Sequence, residues 1–112
     1  MSKILIMKIN KEQAIKENWD EVKSWNYKLP HFSPRMSVVY AELEGDHSLV
    51  HTEELERIYY IIEGSGEFDI GQEKINVNTG DVITIPPKTE YNYRPINNSK
   101  LKVVMFMDIW EN

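Results

Sequence analysis

The chain contains no cysteine. Disulfides, thiolate metal sites and cysteine nucleophiles are therefore excluded. It has no apolar run near the ~20 residues that a helix needs to cross a bilayer. The amino-terminal patch Ile4 to Met7 turns charged at once and lacks a small-residue cleavage site. It reads as a strand and not as a signal peptide, which makes a cytoplasmic location the default expectation. Clustered basic residues are missing too. The 13 Lys and Arg are scattered, the formal net charge is −5 and the pI is about 5.2. Phosphate backbones need clustered cations, so no nucleic acid is expected as a partner, and no membrane either.

What is present suits a small globular domain. Hydrophobic residues make up 41% and charged residues 28% of 112 positions. That length accommodates one domain, residues 1–112, with an expected barrel core over 36–107. A domain this small buries a modest share of its surface, so a partner subunit is useful. A homodimer is expected, with the apolar strand Ile4 to Ile9 or the segment Trp19 to Trp25 at its interface.

Turn residues punctuate the chain. Asn10 followed by Gln13 resembles a capping box, which predicts a short helical stretch over Lys11 to Asn18. Trp19 to Pro34 reads as irregular, since Pro30 and Pro34 block ladder hydrogen bonds. From Met36 onward the pattern is β. Strands are expected at Met36–Ala41, Ser48–Thr52, Arg57–Glu63, Glu67–Ile70, Lys74–Val77, Val82–Ile85, Tyr91–Arg94 and Leu101–Ile109. Gly64-Ser65-Gly66, Gly71-Gln72, Asn78-Thr79-Gly80-Asp81, Pro86-Pro87 and Asn97-Asn98-Ser99 mark the turns between them. Pattern alone leaves immunoglobulin-like, OB-fold and jelly-roll arrangements open.

One stretch narrows the choice. It reads Gly45-x5-His51-x-Glu53-x3-Arg57-x6-Gly64, then Gly80-x5-Pro86-x-Lys88-x2-Tyr91. Those two spacings, in that order, resemble the paired motifs of the cupin family. Ile58 to Gly66 resembles the strand and turn after the first motif, and Gly80 to Pro87 the opening of the second. The resemblance covers about Met36 to Met107. It implies an all-β, double-stranded β-helix barrel of jelly-roll type with a short amino-terminal strand and helical turn. It also implies a ligand cavity inside one open end, and commonly a homodimer.

At the positions where a cupin holds its metal, only His51 is kept. Glu53, Arg57 and Tyr91 stand where the family has a second His, a Glu and a last His. On a strand, His51 and Glu53 face the same way, which in the family is inward. Glu53 could bind a hard cation or pair with Arg57. Arg57 has no lone pair to give and would repel a divalent cation, but could clamp a carboxylate or phosphate. Tyr91 can donate a hydrogen bond, act as an acid, or simply wall the cavity. Lys88 is expected in solvent. His31 and His47 are expected to be structural or on the surface, and the three Trp to serve packing or an interface.

The leading expectation is therefore a small-molecule binding protein. Its ligand would be polar or anionic, of the sugar or carboxylate class, held by His51, Glu53, Arg57 and Tyr91 without a tightly bound metal or other cofactor. One alternative is a metal-independent isomerase or epimerase with His51 as base and Tyr91 as acid. Another is a dioxygenase or isomerase using Fe, Mn, Ni or Zn on His51, Glu53 and His47.

Overall fold

The computed structural model describes residues 7–30 and 35–109. A 3₁₀ turn, Lys11–Gln13, precedes ten strands: β1 (Ile15–Trp19), β2 (Val22–Leu29), β3 (Met36–Leu43), β4 (Val50–His51), β5 (Arg57–Glu63), β6 (Ser65–Ile70), β7 (Glu73–Asn78), β8 (Val82–Ile85), β9 (Glu90–Pro95) and β10 (Leu101–Asp108). They form two antiparallel sheets. The six-stranded sheet runs β1-β2-β3-β10-β5-β8 and the four-stranded sheet β4-β9-β6-β7. From β3 to β10 the chain passes between the sheets at every step except the β6–β7 hairpin, as in a jelly roll.

Alternation builds the interior. On β3, Ser37, Val39, Ala41 and Leu43 point inward; on β5, Arg57, Tyr59 and Ile61 do. Phe68, Tyr91 and Tyr93 face them from the other sheet. Tyr93 lies flat on Phe68, with centroids 4.7 Å apart and planes within 5° of parallel. Burying such rings supplies about 1.5–3 kcal/mol each.

The eight expected β segments from Met36 onward all appear. β5 and β8 match to the residue, and β4 shrinks to two residues. The amino-terminal third departs from expectation. The capping box of Asn10 and Gln13 forms, but the helical turn ends at Gln13, and Ile15–Trp19 is a strand. The predicted irregular region contains β2, which pairs with β3 along its whole length. Its inward residues Ser24 and Asn26 are polar because they face a cavity, so β2 carries no hydrophobic period of two. Pro30 follows the last residue of β2, where it cannot donate to the ladder. Of the expected first strand, residues 4–6 lie outside the described residues, and Met7 to Ile9 have no regular structure. His31 also lies outside them.

Candidate functional site

A cavity of about 340 Å³ opens between the two sheets. Val39 and Ala41 (β3) and Val103, Met105 and Met107 (β10) form an apolar wall, with Ser24 and Asn26 of β2 beyond it. Arg57 and Tyr59 (β5) and Tyr91 and Tyr93 (β9) form the polar side. His51 and Glu53 are at the mouth. All four sequence-predicted site residues, His51, Glu53, Arg57 and Tyr91, therefore line one cavity.

Their pairing differs from expectation. Arg57 is 8% exposed and donates from Nη1 to the Tyr91 hydroxyl at 2.8 Å. That bond joins the two sheets, and the Tyr59 hydroxyl meets Tyr91 Oη at 2.6 Å. Glu53 does not pair with Arg57. It takes His51 Nε2 at 2.8 Å instead, and both side chains are largely exposed, at 66% and 64%. The reason is local. The Thr52 side chain is buried between them and bonded to the Pro86–Thr89 loop, and the Glu53 carbonyl accepts from Lys88 N. The chain is thereby pinned with His51 and Glu53 turned to the rim. Lys88 is exposed, within 3.8 Å of Glu54, as expected of a solvated group.

One edge of the guanidinium has no acceptor among the described residues. Its Nε is buried without a hydrogen-bond partner, and among the described residues no carboxylate comes within ion-pair distance of Arg57. Nε and Nη2 form the side of the fork that grips a carboxylate with two parallel bonds. Burial works against this charge, but the Tyr91 oxygen, with Tyr59 and Asp108 further off, more than offsets it. Arg57 thus places a cation, short of acceptors, in the cavity wall.

The aromatic groups around it are held neutral. Burial pushes the Tyr59 and Tyr93 hydroxyls well above the usual phenol range. His47 stacks on Tyr93 at 4.6 Å and meets the edge of Trp19 at 5.3 Å. Burial, and then the Arg57 charge, depress its pKa. His47, expected to be structural or on the surface, and Trp19, expected in packing or an interface, both line the cavity. Tyr59, Tyr93 and Asn26 escaped sequence reasoning. Tyr59 had a readable signal, since it lies two residues beyond Arg57 on one strand and so on the same face.

A metal does not fit these donors. Among the described residues no three His, Asp or Glu side chains converge as a ligand set. His47, His51 and Glu53 are not brought together as one. His47 Nδ1 contacts the Ser48 carbonyl and its ring is committed to the aromatic stack. A fixed cation occupies the wall.

Sequence comparison bears on this geometry directly. The cupin-domain family model matches residues 38–110. The chain belongs to the cupin family. Its barrel is accordingly the cupin double-stranded β-helix. Over 61 residues it is 43% identical to the uncharacterized protein MJ1618 of Methanocaldococcus jannaschii. That match spans 54% of this chain and 49% of the relative, so the cupin covers about half the length of the curated protein it matches. The fold resembles that of Pac13, a nucleoside dehydratase from Streptomyces, with a TM-score of 0.78 at 22% identity over 96% of this chain and 86% of that one. It also resembles a predicted oxalate decarboxylase from Thermotoga maritima, with a TM-score of 0.78 at 16% identity over 93% and 100% of the two chains. KdgF from Halomonas sp. gives 0.73 at 15% identity over 96% and 97%.

Proposed function

We propose that this cupin binds a small anionic molecule, of the carboxylate class, with its charged group on Arg57. The free Nε–Nη2 edge of a buried guanidinium carries the reading. A buried cation is costly unless it is paired, and an anionic ligand would supply the missing partner. The apolar wall of Val39, Ala41, Val103, Met105 and Met107 would take the ligand's body, which is the usual division of labour in a ligand pocket. Small-molecule chemistry in this kind of barrel also fits the fold neighbours, a nucleoside dehydratase and a predicted oxalate decarboxylase among them.

Calorimetric titration with a panel of small carboxylates tests the reading. Binding that weakens at least about tenfold in Arg57→Gln supports it, since charged hydrogen bonds contribute about 1.5–3 kcal/mol. Equal binding by both proteins overturns it.

A second reading, metal-independent acid–base catalysis, gains one specific observation. The 2.8 Å contact between His51 and Glu53 supplies a carboxylate that would orient a general base. Tyr91, already bonded to Arg57 and Tyr59, would be the proton donor. Incubation of carboxylates and sugar nucleotides with the protein in D₂O checks this. Deuterium entering a carbon position, and lost in His51→Gln, would support catalysis. No exchange in any compound would count against it.

A further inference from the structure

The anion clamp leaves the far wall of the cavity unexplained. Asn26 lines that wall, on β2. Its Oδ1 is buried without a hydrogen-bond partner, and no side-chain bond of its amide occurs among the described residues. A primary amide has two donors and two acceptor sites, and leaving one buried and unmade costs about 1–3 kcal/mol. Exchanging the amide oxygen and nitrogen changes nothing in this accounting. The residues in register with it on the next two strands, Val39 and Met105, are apolar. Two polar groups thus lack partners around one cavity, a cationic fork at one end and an amide at the other.

Their separation follows from the sheet. Asn26 pairs with Val39, Val39 with Met105 and Met105 with Tyr59, two residues from Arg57. Three strand spacings put the two backbones about 14 Å apart. Both side chains reach inward, which leaves room for a compact molecule between them. The lining between the ends is Val39, Val103, Met105 and Met107.

We infer that Asn26 is a specificity residue that reads a hydroxyl or amino group at the end of the ligand opposite its carboxylate. The ligand class is then a small carboxylate with an apolar middle and a polar far end, such as an ω-hydroxy or para-hydroxyaryl acid. A polyhydroxylated sugar acid fits this wall less well, because one side of its middle would lie against valine and methionine. The inference rests on the Arg57 reading above and adds the second anchor to it.

Two probe pairs separate the claims: hexanoate with 6-hydroxyhexanoate, and phenylacetate with 4-hydroxyphenylacetate. Each is titrated calorimetrically into wild-type, Arg57→Gln and Asn26→Leu protein. In the wild type, the hydroxylated member of at least one pair should bind about tenfold tighter. Asn26→Leu should bring that ratio to about one. Thermal melting guards against misfolding: Leu removes an unpaired buried amide, so this variant should melt no lower than wild type. A wild-type ratio near one in both pairs, or a ratio that survives Asn26→Leu, overturns the Asn26 assignment while carboxylate binding through Arg57 stands. Probes that do not bind, or that bind Arg57→Gln as well as wild type, overturn the Arg57 reading and the inference with it.

Discussion

At the scale of single residues, charge and burial set the behaviour of the site. Arg57 holds a cation in the interior with one neutral hydrogen-bond partner. Replacing such a charge by a similar apolar volume tends to stabilise. Arg57→Met should therefore raise stability by about 1–2 kcal/mol and remove carboxylate binding, measured by thermal melting beside titration; a lower melting temperature would contradict the view that the guanidinium is kept for a ligand. His47 gives a pH signature. Its folded pKa is depressed by burial and by Arg57, so the unfolded chain takes up a proton that the fold resists. Stability should be complete above about pH 6.5, the free imidazole value, and decline as pH falls from there toward the folded pKa. Denaturant melts of His47→Phe should lose that slope. The carboxylates of Asp46 and Glu42, also depressed, act with the same sign in their own lower range. Of these residues, Arg57 and Tyr91 were legible from motif spacing. His47 was named only as an alternative ligand beside His51 and Glu53, and its stacking on Tyr93 was not readable, because it lies in the turn before β4, where no periodicity says which way a side chain points.

At the scale of elements, legibility followed the hydrophobic period. β5 and β8 keep apolar residues on alternate or both faces between firm turn signals, and their limits were readable. The β1–β2 hairpin was not. β1 is mostly exposed, β2 turns Ser24 and Asn26 into the cavity, and the tight turn at Asp20 uses a non-glycine residue with φ of 46°. Polar side chains facing the cavity thus erased the pattern on β2. The β5–β6 turn shows the opposite case. Gly64 has φ of 99°, and a Cβ there would strike the Lys100 carbonyl. Gly64→Ala should cost roughly 2–4 kcal/mol, from the strained φ and the backbone clash together. Chemical denaturation measures it, and a loss below about 1 kcal/mol would mean that the turn can relax away from β10.

At the scale of the whole molecule, the outer face of the six-stranded sheet is conspicuously apolar. Ile58, Tyr60 and Ile62 of β5, Val82 of β8 and Phe106 of β10 are exposed, with Phe106 beside Ile58 and Val82 beside Tyr60. Six strands about 4.8 Å apart and some 23 Å long offer on the order of 700 Å², close to the ~800 Å² per partner of a stable interface. We propose that a second copy covers this face about a two-fold axis. Trp19 belongs to the cavity and not to that interface, whereas Trp25 lies on the outer face against Tyr40. Light scattering should give a dimer for wild type and a folded monomer for Tyr60→Glu with Phe106→Glu; a wild-type monomer at high micromolar concentration would refute the proposal. The barrel itself was legible because two motifs fix several turns at once. The lack of partners for Arg57 Nε and Asn26 Oδ1 among the described residues was not, because it arises only once the barrel is assembled. The most direct test of the central claim is the NMR resonance of the Arg57 Nε–H, assigned by its disappearance in Arg57→Gln, during titration with a small carboxylate. The account predicts a downfield shift that saturates as this N–H gains an acceptor. A carboxylate that binds while this resonance stays still would contradict it.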